Sequence, residues 1–250
     1  MTDSVAIFSG GLDSTTLVYN MLDDGRTPHL VSFDYGQRHK KELEYAARTA
    51  QKLSLKHSIV DLSGLTKLLA GSGSSLVSGT EVPDGHYAED SMKATVVPNR
   101  NMIMLSIAGG IAVAEGADSV HTGVHAGDHF IYPDCRTGFV GAAALALYLG
   151  NEGLSGLWRA PIVAPFIHKS KADISRRALD LDVPFAETWS CYKGGELHCG
   201  RCGTCVERLE AINEALVGKN AAEGLTGLEA YRDFTIYEDD LYWKSVTKND

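Results

Sequence analysis

The chain has 250 residues, of which 44% are hydrophobic and 22% are charged, and its formal net charge is -9. This length suffices for one sizeable α/β domain, or for one domain with a small appended module. The acidic balance and the lack of a Lys/Arg run disfavour a nucleic-acid-binding protein, which usually carries a basic patch. We therefore expect no nucleic-acid partner.

The first half of the chain alternates between short apolar strands and helices. The pattern predicts strands at 5–8, 29–33 and 58–61, with helices at 14–21 and 40–53 between them. A βαβαβ order implies a parallel sheet with helices on both faces. The predicted fold class is therefore α/β with a Rossmann-like parallel sheet. From 71 to 95 the composition shifts to Gly, Ser and charge, which predicts a long loop, either a lid or a disordered segment.

The second half continues with a helix at 101–115, a strand at 119–124 and helices at 140–149, 171–181 and 206–216. A cysteine-rich knuckle precedes the last helix. This order suggests a main domain at 1–185, a knuckle and helix at 186–217, and a tail at 218–250. The tail is acidic and aromatic, and its pattern assigns it no structure.

No segment is typical of export or of a membrane span. The N-terminus lacks the basic region and the long apolar core of a signal peptide. The apolar stretches 102–114 and 139–149 are shorter than the roughly 20 residues that a bilayer requires, so we interpret both as buried helices. Because four of the five cysteines are clustered, a metal site in a reducing compartment is favoured over disulfides. We expect a cytoplasmic protein without a membrane partner.

A glycine-paired turn joins the first strand to the first helix. Two glycines permit positive φ angles and close approach of a ligand to backbone N–H groups, and a helix N-terminus favours a phosphate. No Lys follows the glycines, so the turn is not a GxxxxGK[ST] loop. The alternative is a plain turn with a helix cap. The candidate nucleotide-binding residues are Phe8, Ser9, Gly10, Gly11, Leu12, Asp13, Ser14 and Thr15.

The cysteine cluster has the spacing C-x7-C-x2-C-x2-C and comprises Cys191, Cys199, Cys202 and Cys205. Four thiolates suit tetrahedral zinc, and no position is left open for water, so we predict one structural Zn²⁺ per chain. An iron–sulfur cluster also takes four cysteines, but nothing in the sequence implies redox chemistry. His198 is an alternative ligand or an exposed histidine.

A polar segment follows the predicted strand 119–124, at the sheet edge where ligands bind in open α/β folds. Its candidate substrate-binding residues are Asp128, Tyr132, Asp134 and Arg136, because Asp and Arg together can bind a guanine-like edge and a carboxylate. His121, His125 and His129 recur every four residues. On a strand the first two would lie about 13 Å apart, so we interpret them as non-metal.

Three further residues have two interpretations each. Arg100 precedes a buried helix and either meets a phosphate or carboxylate or simply follows a cap at Asn99. Lys171 starts another helix and either neutralises charge on a nucleotide or is a solvated lysine. Cys135 is a nucleophile or, as is commoner for a lone cysteine, a small packed residue.

Together these segments resemble the QueC family of 7-cyano-7-deazaguanine synthases, within the PP-loop ATP pyrophosphatases. The resemblance rests on FSGGLDSTT, PNRN, GVHAGDHFIYPDCR, HKSKADI and ETWSCYKGG…HCGRCGTCVER, and it covers most of residues 4–212. One departure follows Arg136, where Thr137 and Gly138 replace the Pro-Glu that is usual in the family.

The resemblance implies cleavage of ATP between the α and β phosphates, with Asp13 helping to hold Mg²⁺. It implies Asp13, Ser14, Lys171 and Arg100 as catalytic residues. It also implies a ligase that converts 7-carboxy-7-deazaguanine and ammonia to the nitrile through an adenylate and an amide, and it suggests a homodimer.

Other hypotheses remain open at this stage. A relative could attach the activated deazaguanine to another acceptor, such as a protein or modified DNA. A tRNA-modifying PP-loop ligase or thiolase would use a catalytic cysteine and a basic docking surface, which the charge of -9 disfavours. A zinc-knuckle binding protein with a vestigial loop is disfavoured by the intact loop residues.

Overall fold

The computed structural model describes residues 2–37, 40–76, 82, 84, 90–152, 161–223 and 235–239. The strands are β1 Ser4–Ile7, β2 Pro28–Asp34, β3 His57–Asp61, β4 Val120–His121 and β5 Ile162–Val163. The helices are α1 Leu12–Asp23, α2 Lys41–Lys52, α3 Ser63–Leu69, α4 Arg100–Glu115, α5 Thr137–Gly150, α6 Lys171–Asp180 and α7 Gly203–Glu223. Short 3₁₀ helices lie at Ala70–Ser72, Asp90–Thr95, Ala126–Phe130, Pro133–Cys135 and Phe185–Glu187.

The five strands form one parallel sheet in the order β3-β2-β1-β4-β5. The chain order therefore reverses between β1 and β4, which pair with each other. In open parallel sheets, ligands bind in the crevice at the carboxyl ends of the strands where the order reverses. The topology thus locates the expected site at the ends of β1 and β4, and it confirms the predicted α/β fold with a parallel sheet.

Alternate residues of β1 belong to different layers of the core. Val5 packs with α4 and α5 on one face, while Ala6 packs with α1, α2 and α6 on the other. This is the period-two arrangement of a strand that is covered on both faces. Because both faces of β1 are covered, its residues are apolar in succession rather than alternately apolar and polar.

A fully buried arginine ties α7 to the segments before and after it. The guanidinium of Arg208 donates to Phe185 O at 2.7 Å, to Thr188 Oγ1 at 2.8 Å and to Thr235 Oγ1 at 3.0 Å. Its Nε also donates to Tyr237 Oη at 3.2 Å. The described part of the predicted tail, 235–239, is therefore packed against the cysteine-rich region. The predicted domain division itself stays a prediction.

The predicted loop 71–95 is structured at both ends. It begins inside the 3₁₀ helix Ala70–Ser72 and ends with the 3₁₀ helix Asp90–Thr95. Ser75, Leu76 and Thr95 are buried, because the two ends pack together through a hydrogen bond from Ser75 N to Ala94 O. The prediction of a loop that is a lid or disordered was wrong for these ends, where the chain forms 3₁₀ helices and is partly buried. Residues 77–81, 83 and 85–89 lie outside the described residues.

Two other expectations need correction. The strand predicted at 119–124 is only two residues long, because the chain leaves the sheet after β4 and enters the 3₁₀ helix Ala126–Phe130. Helix α5 was expected to be buried, yet Ala143 is its one fully buried residue. Leu145, Tyr148 and Leu149 are 58%, 43% and 59% exposed, since α5 packs on α4 and β5 with one side only.

The segment Lys93–Glu115 is long and apolar enough, by length and composition, to cross a membrane. In the structure the chain turns at 96–99, with Asn99 in the left-handed region at φ 58°. The α-helix proper therefore has 16 residues and a length of about 24 Å. Its apolar face packs on the sheet, and a core helix of this kind passes the same test.

Candidate functional site

A cavity lies at the carboxyl ends of β1 and β4. Its floor is formed by the turn between β1 and α1, and one wall is formed by Thr122, Gly123 and Val124 after β4. Further lining residues come from the end of β2, from 128–135, from α2, α4, α6 and α7, and from the cysteine-rich region. The site therefore occupies the point where the strand order reverses, as the topology requires.

The turn is closed by the hydroxyl of Ser14. Ser14 Oγ accepts from the backbone N–H of Ser9 at 3.2 Å and lies 3.0 Å from Ser9 Oγ. Gly11 is the N-cap of α1 in extended conformation, without a side-chain cap. No side chain therefore caps the N–H groups in the first turn of α1, which lie beside the cavity. These N–H groups can donate to an anionic oxygen of a ligand.

Gly10 is required by the packing of this turn. Its φ is +78°, and a Cβ there would lie 2.6 Å from Glu42 O and 2.6 Å from Ala46 N in helix α2. Its carbonyl accepts from the backbone N–H of Trp189 at 2.9 Å. The turn is thus held between α2 and the segment that leads into the cysteine cluster.

A cluster of charged side chains faces the turn. Lys171 Nζ lies 2.5 Å from Asp13 Oδ2 and 3.4 Å from Glu207 Oε2. His125 Nε2 lies 3.7 Å from Asp13 Oδ2 and 3.6 Å from Asp128 Oδ2. Because His125 Nδ1 accepts from Gly127 N, the neutral ring carries its proton on Nε2, toward the carboxylates.

The position of Lys171 follows from the start of α6. Ser170 and Asp173 form a reciprocal capping box that begins the helix at Lys171. The lysine is mostly buried and paired, so the interpretation as a solvated surface lysine was wrong. Burial would lower its pKa, but the carboxylates of Asp13 and Glu207 raise the pKa above its usual value, and the side chain stays charged.

The carboxylates of this cluster differ in their electrostatic balance. Burial alone would raise the pKa of Asp13, but Lys171 and His125 overcome that effect and lower it. Burial raises the pKa of Glu207 despite the attraction of Lys171. Asp13 Oδ1 is buried and has no hydrogen-bond partner among the described residues. The cluster thus combines one ionised carboxylate, one ammonium and a carboxylate that is easier to protonate.

Tyrosine side chains line another part of the cavity, around Arg100. The guanidinium carbon of Arg100 lies 5.9 Å from the ring centre of Tyr35 and 5.8 Å from that of Tyr132. Tyr192 also lines this part. Burial raises the pKa of Tyr35 to about 12 and the pKa of Tyr192 well above its usual value. These phenols therefore stay protonated and offer flat faces and O–H groups to a ligand.

Only some of the predicted substrate-binding residues reach the cavity. Asp128 and Tyr132 line it, and Tyr132 Oη is 2.6 Å from Thr95 Oγ1. Asp134 instead accepts from the backbone N–H of Asn101 at 3.3 Å. Arg136 is exposed and donates to His129 O at 2.9 Å. Substrate binding by these four residues stays a prediction, with geometry that favours the first two.

Arg100, Asn99 and Cys135 are also placed by the structure. Arg100 lines the cavity. Asn99 occupies the N-cap position of α4 as predicted, but its side chain makes no cap hydrogen bond. Cys135 lines the cavity but is buried, and its Sγ accepts from Asn101 Nδ2 at 3.4 Å. Burial raises the pKa of Cys135, which favours a packed thiol over a nucleophile.

Three cavity-lining or adjacent residues were missed from the sequence. His125 was considered only in the spacing of three histidines. Glu207 stands two residues after the last cysteine, Glu42 lies in the helix predicted at 40–53, and neither was assigned a role. Their signal is weak in sequence because each comes from a different element, and only the fold brings them to one crevice.

The four cysteines form a compact buried cluster. Their Sγ atoms all lie within 4.8 Å of one another, and Cys199 Sγ is 3.9 Å from Cys205 Sγ. A tetrahedral site with Zn–S bonds of 2.3 Å has S–S edges of about 3.8 Å. Backbone N–H groups of Cys199 and Cys202 point at Cys191 Sγ and Cys199 Sγ. The cluster could hold a metal ion.

His198 lies beside this cluster but is turned away from it. It is buried rather than exposed, and its Nε2 accepts from Ser190 N at 3.1 Å. Its ring packs 4.3 Å from the ring centre of Trp189. The histidine supports the segment that contacts the phosphate turn. Among the described residues, the candidate metal ligands of this region are the four cysteines.

The parallel sheet, the glycine-paired turn at the strand-order reversal and the Asp13–Lys171 pair define a Rossmann-like domain of the PP-loop ATP pyrophosphatase type. The chain belongs to the QueC family, described as "Queuosine biosynthesis protein QueC", whose match spans residues 3–216.

Two curated relatives illustrate this membership. The 7-cyano-7-deazaguanine synthase of Rhizobium johnstonii is 51% identical over 97% of this chain and 95% of its own length. The protein of the same name from Paracoccus denitrificans is 49% identical over 97% of this chain and 96% of its own length. Among solved structures, the NMN synthetase of Francisella tularensis is 13% identical, covering 99% of this chain and 85% of that chain, with a TM-score of 0.47.

Proposed function

We propose that this chain is an ATP-dependent ligase that converts 7-carboxy-7-deazaguanine and ammonia to 7-cyano-7-deazaguanine, in queuosine biosynthesis. Full-length relatives of about half identity carry the name of that activity. The observation that carries the proposal is that the Asp13–Lys171 pair, the phosphate turn and the tyrosine-lined cavity share one crevice.

ATP would lie with its phosphates on the turn from Ser9 to Ser14. The N–H groups at the start of α1 and the Lys171 ammonium would face the phosphate oxygens, as positions for charge that develops when pyrophosphate leaves. Phe8, Leu12 and Thr15 flank this turn and support its shape. The substrate carboxylate would enter from the aromatic side and meet the α phosphorus.

The donor set beside the turn fits Mg²⁺. Asp128 lines the same cavity as Asp13, and the buried Oδ1 of Asp13 is free of hydrogen bonds from the described residues. Oxygen ligands of this kind are those that Mg²⁺ prefers. When bound, Mg²⁺ neutralises charge on the phosphates of ATP. Asp13 would be its principal protein ligand.

The four cysteines would hold one structural Zn²⁺. The thiolate set and the inter-sulfur spacing fit zinc, and the buried cluster leaves no ligand position for water. Cys191 stands between Ser190 and Tyr192, which both line the cavity. The metal would therefore fix the wall of the active site as well as the start of α7.

The chemistry proceeds in two activations at one place. The carboxylate oxygen attacks the α phosphorus and pyrophosphate leaves; ammonia then displaces AMP, loses a proton and gives the amide. The amide oxygen next attacks a second α phosphorus, and loss of AMP and of both N–H protons leaves the nitrile. Glu207, whose pKa is raised by burial, would accept one of these protons.

The protein would act as a homodimer. The exposed apolar residues Leu145, Tyr148 and Leu149 of α5 form a face of the kind that marks an association surface. Light scattering coupled to size exclusion would report twice the monomer mass. A charged substitution, Leu149→Glu, would reduce it to the monomer mass. Monomeric wild-type protein at micromolar concentration would contradict this part of the proposal.

The test of the activity is incubation with ATP, Mg²⁺, ammonia and the acid, followed by mass analysis. We expect the amide and then the nitrile, with AMP and pyrophosphate released at each activation. The variant Asp13→Ala should abolish pyrophosphate release, while Asp24→Ala, at the exposed far end of α1, should retain it. Formation of ADP and orthophosphate, or consumption of the acid without ammonia into another product, would contradict the proposal.

A further inference from the structure

Glu42 and Arg100 are two charged side chains that line the cavity outside the phosphate turn. Glu42 lies in the first turn of α2, and its Oε1 accepts from Gln37 Nε2 at 3.0 Å. Gln37 is itself held by Phe33 O at 3.2 Å and by Tyr35 N at 2.9 Å. The carboxylate is therefore oriented. Within the described chain, its Oε2 receives no hydrogen bond.

Arg100 opens α4 and is framed by the rings of Tyr35 and Tyr132. Of the carboxylates in the described residues, none lies within 4.0 Å of its guanidinium nitrogens. Its five N–H donors lie beside the Tyr35 phenol, with which the guanidinium interacts electrostatically. The arginine is thus a cation in the cavity wall that has no carboxylate partner among the described residues.

Two opposite charges in one cavity that do not pair with each other are costly unless a ligand contacts both. The Arg100 guanidinium is near enough to limit the rise that burial causes in the pKa of Glu42. Because both side chains line one cavity, a ligand with acceptors on one side of its polar edge and donors on the other can contact both. The neighbouring tyrosine rings would cover the flat faces of such a ligand.

We propose that Arg100 and Glu42 together recognise the polar edge of the deazaguanine: the Arg100 fork donates to O6 and to the 7-carboxylate, and Glu42 accepts from N1–H and the 2-amino group. This inference rests on the proposed function and names the residues that select its substrate.

Each polar group on this edge of the ligand has a chemically suitable partner in one of the two charged side chains. In guanine the acceptors that Arg contacts are O6 and N7. In the 7-carboxy-7-deaza compound, position 7 is a carbon that carries the carboxylate, so the second acceptor becomes a carboxylate oxygen. N1–H and the 2-amino group follow O6 on the other side, and two adjacent donors suit a carboxylate. Adenine analogues, with a donor at position 6, would meet Arg100 with the wrong polarity.

The first experiment uses the wild-type enzyme and the analogue that lacks the 2-amino group. Removal of one ligand donor should raise the KM by roughly 10- to 100-fold relative to the parent acid, since a buried acceptor loses its partner. The KM for ATP should not change. Equal KM values for the acid and the analogue would overturn the assignment of Glu42 without any variant.

The second experiment compares Glu42→Gln with Glu44→Gln, an exposed position on the same helix. Glu42→Gln should raise the KM for the acid, and the ratio of the KM for the analogue to the KM for the acid should fall toward one. Glu44→Gln should keep the wild-type KM and the wild-type ratio. Retention of full discrimination by Glu42→Gln would overturn the inference. Zinc content, thermal melting and ATP binding should match wild type, which separates a recognition defect from misfolding.

These outcomes distinguish the inference from the activity on which it rests. If wild-type enzyme releases no pyrophosphate with the parent acid, the proposed function itself fails. If wild-type enzyme turns over the acid but treats the analogue equally, only the recognition role of Glu42 fails. Arg100→Lys provides the matching test on the other side. It should raise the KM for the acid about 10-fold or more, because a point charge cannot reproduce the fork.

Discussion

The carboxylate of Asp13, in the first turn of α1, and the ammonium of Lys171, at the start of α6, form an ion pair 2.5 Å from Oδ2 to Nζ although 158 residues separate them. The pair joins the phosphate turn to a helix that enters the fold much later. It keeps a cation at the end of β1 without any lysine in the turn itself. The pair is therefore the feature to test first.

Replacement of Lys171 by Met should lower the rate of pyrophosphate release by at least about 100-fold, the usual cost of removing one charge-stabilising donor. Asp13 would also lose its partner, so the pKa of that carboxyl should rise. Lys52→Met removes an exposed lysine that pairs with Glu187 and should leave the rate unchanged. A rate for Lys171→Met within threefold of wild type would show that the ammonium does not act on the phosphates.

Gly10→Ala should be far more damaging than Gly25→Ala, although the two glycines have nearly equal φ angles of +78° and +76°. At Gly25 a Cβ meets nothing within 4 Å, so the cost is the left-handed backbone alone, about 1–2 kcal/mol. At Gly10 the methyl would strike the backbone of α2, and the turn must move. Urea unfolding and ATP binding by calorimetry measure both effects. Equal losses of stability and of ATP affinity in the two variants would mean that α2 moves aside at little cost to make room for the Gly10 methyl.

Metal analysis should find one zinc per chain, without the visible absorption of an iron–sulfur cluster. Cys202→Ser should lose the metal and lower the melting temperature, because binding free energy of a structural zinc is folding free energy. Cys135→Ser removes the fifth cysteine, which is outside the cluster, and should keep the zinc. Folded protein without metal, or with iron, would contradict the assignment.

The KM for the deazaguanine acid should fall as the pH rises through neutrality. Burial raises the pKa of Glu42 to about 7, and Gln37 and Arg100 limit that rise. Below that pKa the carboxyl is protonated and loses acceptor capacity, whereas above it the carboxylate can accept from N1–H and the 2-amino group. Tyr35, which also faces Glu42, has a pKa of about 12 and does not titrate in this range.

The measurement is the KM between about pH 6 and pH 8, across the raised pKa, for wild type and for Glu42→Gln. The variant lacks the titrating group, so its KM should lose this component of the pH dependence. Identical profiles would assign the titration to another group. The KM for ATP serves as the internal reference in both proteins.

Local sequence was sufficient for much of the framework. The apolar run of β1, the glycine pair and the following helix are adjacent in the chain, so the phosphate turn could be predicted from short-range rules. The four cysteines likewise lie within one short segment, and their spacing predicted the compact cluster that the structure shows. In both cases neighbours in sequence are neighbours in space.

Residues from distant elements could not be assigned in the same way. The sheet order places the ends of β1 and β4 side by side, which brings Glu207, His125 and Glu42 to the site. The periodicity of a helix in the sequence predicts that it has a polar face, but not which element that face contacts. Likewise, the apolar pattern of α5 predicted burial, but hydrophobicity alone does not decide how much partner surface is available at a sheet edge.

Short-range patterns were enough to predict the phosphate turn, the four-thiolate cluster and the parallel α/β class, because each depends on local spacing and on the burial of short apolar runs. The folded chain was needed to show that Lys171 pairs with Asp13, that Glu42 and Arg100 share a cavity without pairing, and that Asp134 and Arg136 do not line it. Those relationships depend on distances between elements, which chain order does not specify until the sheet is assembled.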